Sequence, residues 1–302
     1  MSSDTIACAD ALTFARSLPD ASVNCIVTSP PYFGLRDYGT DGQIGLERTP
    51  AEYVARMAEL FRELRRVLRD DGTAWLNLGD SFSAEKQLLG IPWRVAFALQ
   101  DDGWILRSDI IWAKGNPMPE SVKDRPTRAH EYVFLLTKSP RYWYDADAIA
   151  EPMTSDGGGD FMRDLTDVQP EHGGKSRTGK WARNNRKQDN VSRRYTGFND
   201  RYVAPNKRNR RSVWNVNPQP FNEAHFATFP PKLIEPMILA GCPAGGVVYD
   251  PFMGSGTTAL VARRLGRHYI GSELNPEYVA MAERRLAAPY TPDMFCAQEA
   301  LS

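Results

Sequence analysis

Two loops in this sequence combine residue types that can do chemistry, and each follows a short apolar run. The first is Thr28-Ser29-Pro30-Pro31-Tyr32, directly after Cys25-Ile26-Val27. Consecutive prolines fix φ and push the residue ahead of them toward an extended conformation, so this loop is stiff. Pro31 has no N–H to offer the Pro30 carbonyl. The Ser29 hydroxyl and the Pro30 carbonyl are therefore two preorganised acceptors, with the flat ring of Tyr32 beside them. Two acceptors facing the two N–H bonds of an exocyclic base amine draw its nitrogen toward a tetrahedral shape. They also stabilise the positive charge that develops as that nitrogen attacks. In-line displacement at an activated methyl then needs mainly positioning. Ser29, Pro30, Pro31 and Tyr32 are the catalytic candidates.

The second loop lies in Val248-Tyr249-Asp250-Pro251-Phe252-Met253-Gly254-Ser255-Gly256-Thr257-Thr258, which reads as strand, glycine loop and helix start. Glycines let the backbone approach a ligand, and a helix N-terminus presents unpaired N–H groups. A phosphate is a poor fit. No Lys follows Gly256, no Gly stands at 251 or 252, and Asp250 would repel the anion. A cationic amino-acid group suits Asp250 better. Glu273 follows Gly256 by seventeen residues, at the end of the Tyr269-Ile270-Gly271 strand, where an acid can accept both hydroxyls of a ribose. Together the two acids fit S-adenosyl-L-methionine, with Asp250 near the ammonium and Glu273 on the ribose. Taken alone, the segment also reads as an ordinary glycine-rich turn; the first loop tips the balance.

These loops need elements to hold them, and 302 residues suffice for an α/β core with one smaller appended domain. Strands are expected to end at Asn24–Val27 and to run over Thr73–Leu78, Trp104–Trp112 and Tyr132–Leu136. Between the first two, Thr49 and Glu52 form a capping box, Pro50 opens a helix and Gly72 stops it. Met57, Leu60, Phe61, Leu64, Val67 and Leu68 share one face of that helix, a core stripe. Further on, a helix is predicted from Pro231 to Leu239. Val247–Tyr249, Thr257–Leu265, Tyr269–Gly271 and Pro276–Leu286 then make a β-α-β-α unit. The fold class is α/β: a doubly wound, Rossmann-like sheet made by residues 1–150 and 213–302, with a loop-rich insertion at 151–212.

Composition excludes several alternatives. No run of 18 apolar residues occurs and the N-terminus lacks a signal-peptide core, so a soluble, cytoplasmic protein with no membrane partner is expected. Cys8, Cys25, Cys242 and Cys296 form no CxxC, and buried, reduced thiols are expected, with no metal site. No Pro-Cys dipeptide occurs, which removes the usual nucleophile of carbon-5 cytosine methylation. His172, His225 and His268 read as surface or structural residues.

The ordered pair of motifs, Ser-Pro-Pro-Tyr early and Asp-Pro-Phe-Met-Gly-Ser-Gly-Thr-Thr late, resembles the circularly permuted β-class of S-adenosylmethionine-dependent DNA amino-methyltransferases. The resemblance covers most of the chain outside the insertion. It implies that Asp10 lies near the cofactor adenine, and that Phe229-Pro230-Pro231-Lys232-Leu233 closes over the methionine end. It matches Leu78-Gly79-Asp80-Ser81 to the next strand-end loop. It also matches Asp124 to Tyr132 to a strand beside the target-base pocket, which makes His130 a candidate. The cofactor-binding candidates are thus Asp10, Thr28, Phe229, Lys232, Asp250, Phe252, Gly254, Ser255, Gly256, Thr257, Thr258 and Glu273. In this family Ser at position 29 is a tendency of cytosine members and Asp of adenine members, which implies cytosine N4 as target.

From Gly173 to Ser212 there are 13 Lys or Arg against Asp189 and Asp200, although the whole chain is neutral. Trp181, Tyr195, Phe198 and Tyr202 interleave with them. A solvated charged face rarely shows this sign bias with aromatics, so phosphate and base contact is expected. Lys175, Arg177, Lys180, Arg183, Arg186, Lys187, Arg193, Arg194, Lys207, Arg208, Arg210 and Arg211 are the candidates to bind double-stranded DNA. The resemblance places the target recognition domain here. The expected activity is site-specific methylation of cytosine N4 in DNA. Adenine N6, RNA or a protein glutamine are rival targets, and a non-catalytic DNA-binding regulator is the rival from another class. A separate cognate restriction endonuclease is a partner compatible with the resemblance, and this chain carries no nuclease motif.

Overall fold

The structure, a computed structural model, describes residues 4–152, 207–218 and 229–288. They fall in two units, residues 1–149 with 211–302, and residues 150–210. In the larger unit an eight-stranded sheet is made of β1 (Thr5–Cys8), β2 (Val23–Thr28), β3 (Leu68–Leu78), β4 (Ile105–Ala113), β5 (His130–Thr137), β8 (Val213–Asn215), β9 (Val247–Asp250) and β10 (His268–Glu273). The order across it is β1-β10-β9-β2-β3-β5-β4-β8. β2 and β9 sit side by side and parallel at its centre, Cys25 against Val248 and Ile26 against Tyr249. From β9 the chain crosses to β10 on one side, and from β2 it crosses to β3 on the other. Such a reversal opens a crevice beyond the carboxyl ends of the two strands, where open α/β sheets place ligands. Both chemistry-bearing loops leave the sheet there.

The sheet is mixed rather than all parallel: β5 runs antiparallel to β3 and β4. This brings the start of β5 and the end of β4 to the same edge as the ends of β2 and β9. Both faces are covered. Ile26, Leu76 and Phe134 point to one core with Met57, Phe61 and Leu64 of α2 (Pro50–Val67) and Val95 and Leu99 of α3 (Ile91–Asp101). Val27, Trp75 and Val133 point to the other, with Leu233 and Met237 of α4 (Pro231–Gly241) and Val261 of α5 (Thr257–Arg264). Neighbours in a strand thus serve opposite layers, as a period of two requires.

The predicted strands and helices of the core are present within a few residues of their expected limits. β1, α1 (Ala11–Ser17) and α3 were not anticipated. Three local readings change. Thr49 does cap α2, accepting the Glu52 N–H at 3.2 Å, but the Glu52 carboxylate takes the Arg48 N–H at 3.1 Å instead of closing the box on Thr49. Gly72 does not stop the helix. Leu68 already has extended backbone, and Gly72 lies in an excursion of β3, where Val23 pairs with Leu68 but Cys25 with Thr73. A Cβ on Gly72 would stand 2.6 Å from Leu68 and 2.8 Å from the Asn24 carbonyl, so close packing is what requires glycine. Cys25 and Cys242 are buried free thiols, whereas Cys8 is exposed because short β1 edges the sheet.

In the smaller unit the described residues form a two-stranded antiparallel ribbon, β6 (Glu151–Pro152) with β7 (Lys207–Arg208). Lys207 is exposed, and Arg208 faces Glu151 at 3.4 Å. Lys175, Arg177, Lys180, Arg183, Arg186, Lys187, Arg193 and Arg194 lie outside the described residues, as do the four aromatics interleaved with them. Arg211, exposed in the larger unit, lends its carbonyl to the Trp214 indole N–H at 2.8 Å.

Candidate active site

At the end of β9 the Asp250 side chain is fully buried, 0 % exposed. Its carboxylate accepts the Thr28 hydroxyl at 2.8 Å, the Thr258 hydroxyl at 2.6 Å and the Phe252 N–H at 3.0 Å. Burial pushes its pKa up to about 6 against the pull of these three donors. The carboxylate set against a ligand's ammonium in the sequence reading is therefore also a junction. Thr28 and Asp250 stand 222 residues apart in sequence, and their bond fastens the first loop to the second.

The glycine loop follows. Gly254 and Gly256 adopt φ of +53° and +82°, and a Cβ on Gly256 would come within 2.8 Å of the Ala282 Cβ on α6 (Pro276–Ala287). A side chain there would meet both backbone strain and a clash. Glu273, at the end of β10, accepts the Gly254 N–H at 2.8 Å and the Asn275 N–H at 2.9 Å. Burial raises its pKa, opposed by those amides. Each carboxylate oxygen keeps a further lone pair. The Ser255 and Thr257 hydroxyls accept from Arg285, at 2.8 and 3.3 Å. Phe252 is half-buried against the first core. Asp10 caps α1 through the Thr13 N–H at 2.9 Å, and the adjacent Ala9 N–H meets the Glu273 carbonyl at 3.0 Å, so these acids end neighbouring strands. Phe229 packs on the second core, and Lys232 is exposed in the first turn of α4. Burial raises the pKa of Tyr38 and of Tyr278, the nearby Glu273 carboxylate adds to the rise and Arg36 opposes it, and the sequence analysis missed both tyrosines and Arg36.

The second half of the site is assembled from four strand ends. Ser29 Oγ lies 3.3 Å from Asn77 Oδ1 on β3 and 3.3 Å from the Tyr32 hydroxyl. Tyr32 donates to Glu131 Oε2 on β5 at 2.6 Å, and Asn77 Nδ2 donates to the same oxygen at 3.1 Å and to the Tyr132 carbonyl at 3.1 Å. Lys114, just past β4, donates to the other Glu131 oxygen. The Lys114 ammonium also lies 4.4 Å from the centre of the Trp112 ring. Tyr32 is thus more than a flat face. Its ring packs against Gly79, where a Cβ would stand 2.6 Å from Cε2, and its hydroxyl end is buried beside Glu131, which raises its pKa well above that of a free phenol. The Tyr53 hydroxyl holds the Pro31 carbonyl at 2.9 Å. No hydrogen bond to the Pro30 carbonyl occurs among the described residues.

The matched strand enters the site through Glu131, and His130 instead stands edge-on to Tyr132 with ring centres 5.4 Å apart. Asp80 accepts the N–H groups of Ser81, Gly90 and Ile91 at 2.9–3.0 Å, shaping the entry to α3. His268 meets Asp4 at 3.1 Å on the surface. One crevice therefore holds a buried acid, a glycine cradle with a second acid, and a stiff loop with two oxygen acceptors over a polar floor.

The sequence profile described as DNA methylase matches residues 23–284. The chain is 46 % identical to the Type II methyltransferase M.XycI of Xanthomonas campestris pv. cyanopsidis, over 92 % of this chain and 85 % of that one. It is 45 % identical, with the same coverage of both chains, to the Type II methyltransferase M.Cfr9I of Citrobacter freundii. Among solved structures, the PvuII DNA methyltransferase (cytosine-N4-specific) superposes with a TM-score of 0.66 at 21 % identity, covering 96 % of this chain and 89 % of that one.

Proposed function

The chain belongs to the N6/N4 DNA methylase family, and from that premise we propose that it methylates the N4 amino group of cytosine in double-stranded DNA, using S-adenosyl-L-methionine. The residues of the crevice fit that cofactor. Gly254 leaves the backbone open just past β9, where an added Cβ would meet nothing closer than 4.0 Å, and Glu273 and Asp10 stand at the ends of β10 and the adjacent β1. Glu273 would hold the ribose, Asp250 would supply negative charge beneath the amino-acid end, and Phe229 and Lys232 would close over it. The cofactor supplies, when bound, a methyl group on a positively charged sulfur. The chain's part is to place and activate the amine. Ser29 Oγ and the Pro30 carbonyl accept its two N–H bonds, which frees the nitrogen lone pair for attack and spreads the charge that forms. The base leaves the duplex to reach them, at a cost of a few kcal/mol, which loop contacts offset.

The observation that carries the choice of base is Ser29 itself, a neutral hydroxyl on the pocket floor with Asn77 and Tyr32 as its partners. Adenine sets N1 beside its amine as cytosine sets N3, so what favours cytosine is the family tendency toward Ser at this position in cytosine members and Asp in adenine members. The basic residues between 151 and 212 would read the duplex by phosphate and groove contact. A separate cognate endonuclease would fit a modification enzyme of this kind. Nucleoside mass spectrometry of unmodified DNA treated with the protein is the test. N4-methylcytosine is expected, and N6-methyladenine alone would overturn the choice of base while leaving the methylase intact.

A further inference from the structure

We propose that Glu131, held by Lys114, is a positioning residue that fixes the direction of every hydrogen bond on the pocket floor and so leaves Ser29 able only to accept. The inference rests on the reading that Ser29 receives the base amine. It follows from counting protons. Tyr32 has one hydroxyl proton and two acceptors in reach, Glu131 Oε2 at 2.6 Å and Asn77 Oδ1 at 3.1 Å, and the closer, charged oxygen takes it. Asn77 has two amide protons, committed to Glu131 Oε2 and to the Tyr132 carbonyl. Asn77 therefore turns its oxygen toward Ser29. The Ser29 hydroxyl has two acceptors at 3.3 Å, Asn77 Oδ1, which carries no proton, and the Tyr32 oxygen, whose proton goes to Glu131. The proton points down into the floor, and the lone pairs of Ser29 face the crevice.

That polarity matters for the chemistry. A serine free to rotate can donate its proton to the amine nitrogen, engaging the lone pair that must attack. A serine locked as an acceptor cannot. The organising charge is the Glu131 carboxylate, whose side chain is 14 % exposed and whose partner Lys114 is 20 % exposed. A pair so far out of water is weak support for stability, because desolvation opposes its attraction. Its place in the network gives it another use. Asn77 cannot pass a proton on as an acid would, so along that branch the network orients and does not relay.

The test is the rate of methyl transfer from tritiated cofactor to unmodified bacterial genomic DNA, with enzyme in excess and cofactor saturating. Glu131→Gln is expected to slow the step by about tenfold or more while leaving cofactor and DNA affinity within about twofold. In a Ser29→Ala background the same change should cost less than about threefold, because a residue that acts through Ser29 has nothing left to orient. A wild-type rate for Glu131→Gln, an equal loss in both backgrounds, or a loss of binding would each overturn the proposal. A wild-type rate for Ser29→Ala would instead overturn the reading on which it rests. If Glu131→Gln does not fold, Lys114→Gln serves, with a smaller loss in the same direction expected and an unchanged rate contradicting the idea.

Discussion

The glycine loop is held mostly by its own neighbourhood: Asp250 takes the Phe252 N–H two residues on and the Thr258 hydroxyl eight residues on. The proposed base pocket is held across the sheet, with Ser29 reaching Asn77, 48 residues away, and Tyr32 reaching Glu131, 99 residues away. The first kind of site is a contiguous string whose glycines and acids announce themselves. The second is a meeting of strand ends whose members look like ordinary strand residues. The bond from Thr28 to Asp250 couples the two. The division suggests separate duties, cofactor on one side and base on the other, and that separation is what experiments can break.

The largest expected effect lies on the pocket side. Ser29→Ala removes the acceptor proposed to stabilise the charge that forms on the amine, so single-turnover methylation should fall about 10²-fold with DNA affinity nearly unchanged. Equal losses in rate and DNA binding would show that Ser29 merely holds the loop, and the comparison would lose its chemical half.

A middling effect is expected on the cofactor side, with pH as the handle. Burial raises Asp250 to about 6, so the folded protein keeps a proton there that the unfolded chain has already lost. The stability this brings is present below the ordinary carboxylate range and is lost as pH rises through about 6. A cationic ligand favours the ionised form. Cofactor affinity of the wild type should therefore weaken relative to Asp250→Asn as pH falls below about 6, up to about tenfold per pH unit for one coupled proton. Calorimetric titrations at several pH values check this, and parallel curves for the two proteins would remove Asp250 from the cofactor side.

The smallest effect serves as a control away from both halves. Thr49→Ala removes the α2 cap and should lower stability by about 1 kcal/mol, seen in denaturant melts, without altering the methylation rate.

The contrast also explains what the sequence made legible. The placement of both loops was readable: Pro30 and Pro31 follow β2, Asp250 and Glu273 end β9 and β10, and Gly254 and Gly256 lie in the loop after β9. The amphipathic stripe of α2 was readable as well, because burial alone dictates its spacing. Asn77, Glu131 and Lys114 were not, since Asn77 meets Ser29 only through the pairing of β2 with β3, and Glu131 and Lys114 arrive only through the antiparallel run of β5 between β3 and β4. His130 shows how sharp that limit is. Neighbouring strand residues face opposite sides, so a reading one residue off selects a different layer. Short β1 and α1 carry too few residues for a periodic signal, and Gly72 looked like a helix stop because close packing leaves no trace in sequence.

Calorimetric titration of S-adenosyl-L-methionine into the wild type, Ser29→Ala and Glu273→Ala tests the division of duties most directly. The account predicts that Ser29→Ala binds within about twofold of the wild type, while Glu273→Ala, stripped of the acceptor proposed for the ribose and of its grip on the Gly254 amide, binds at least about tenfold more weakly. Unchanged affinity in Glu273→Ala, or an equal loss in both variants, would contradict it.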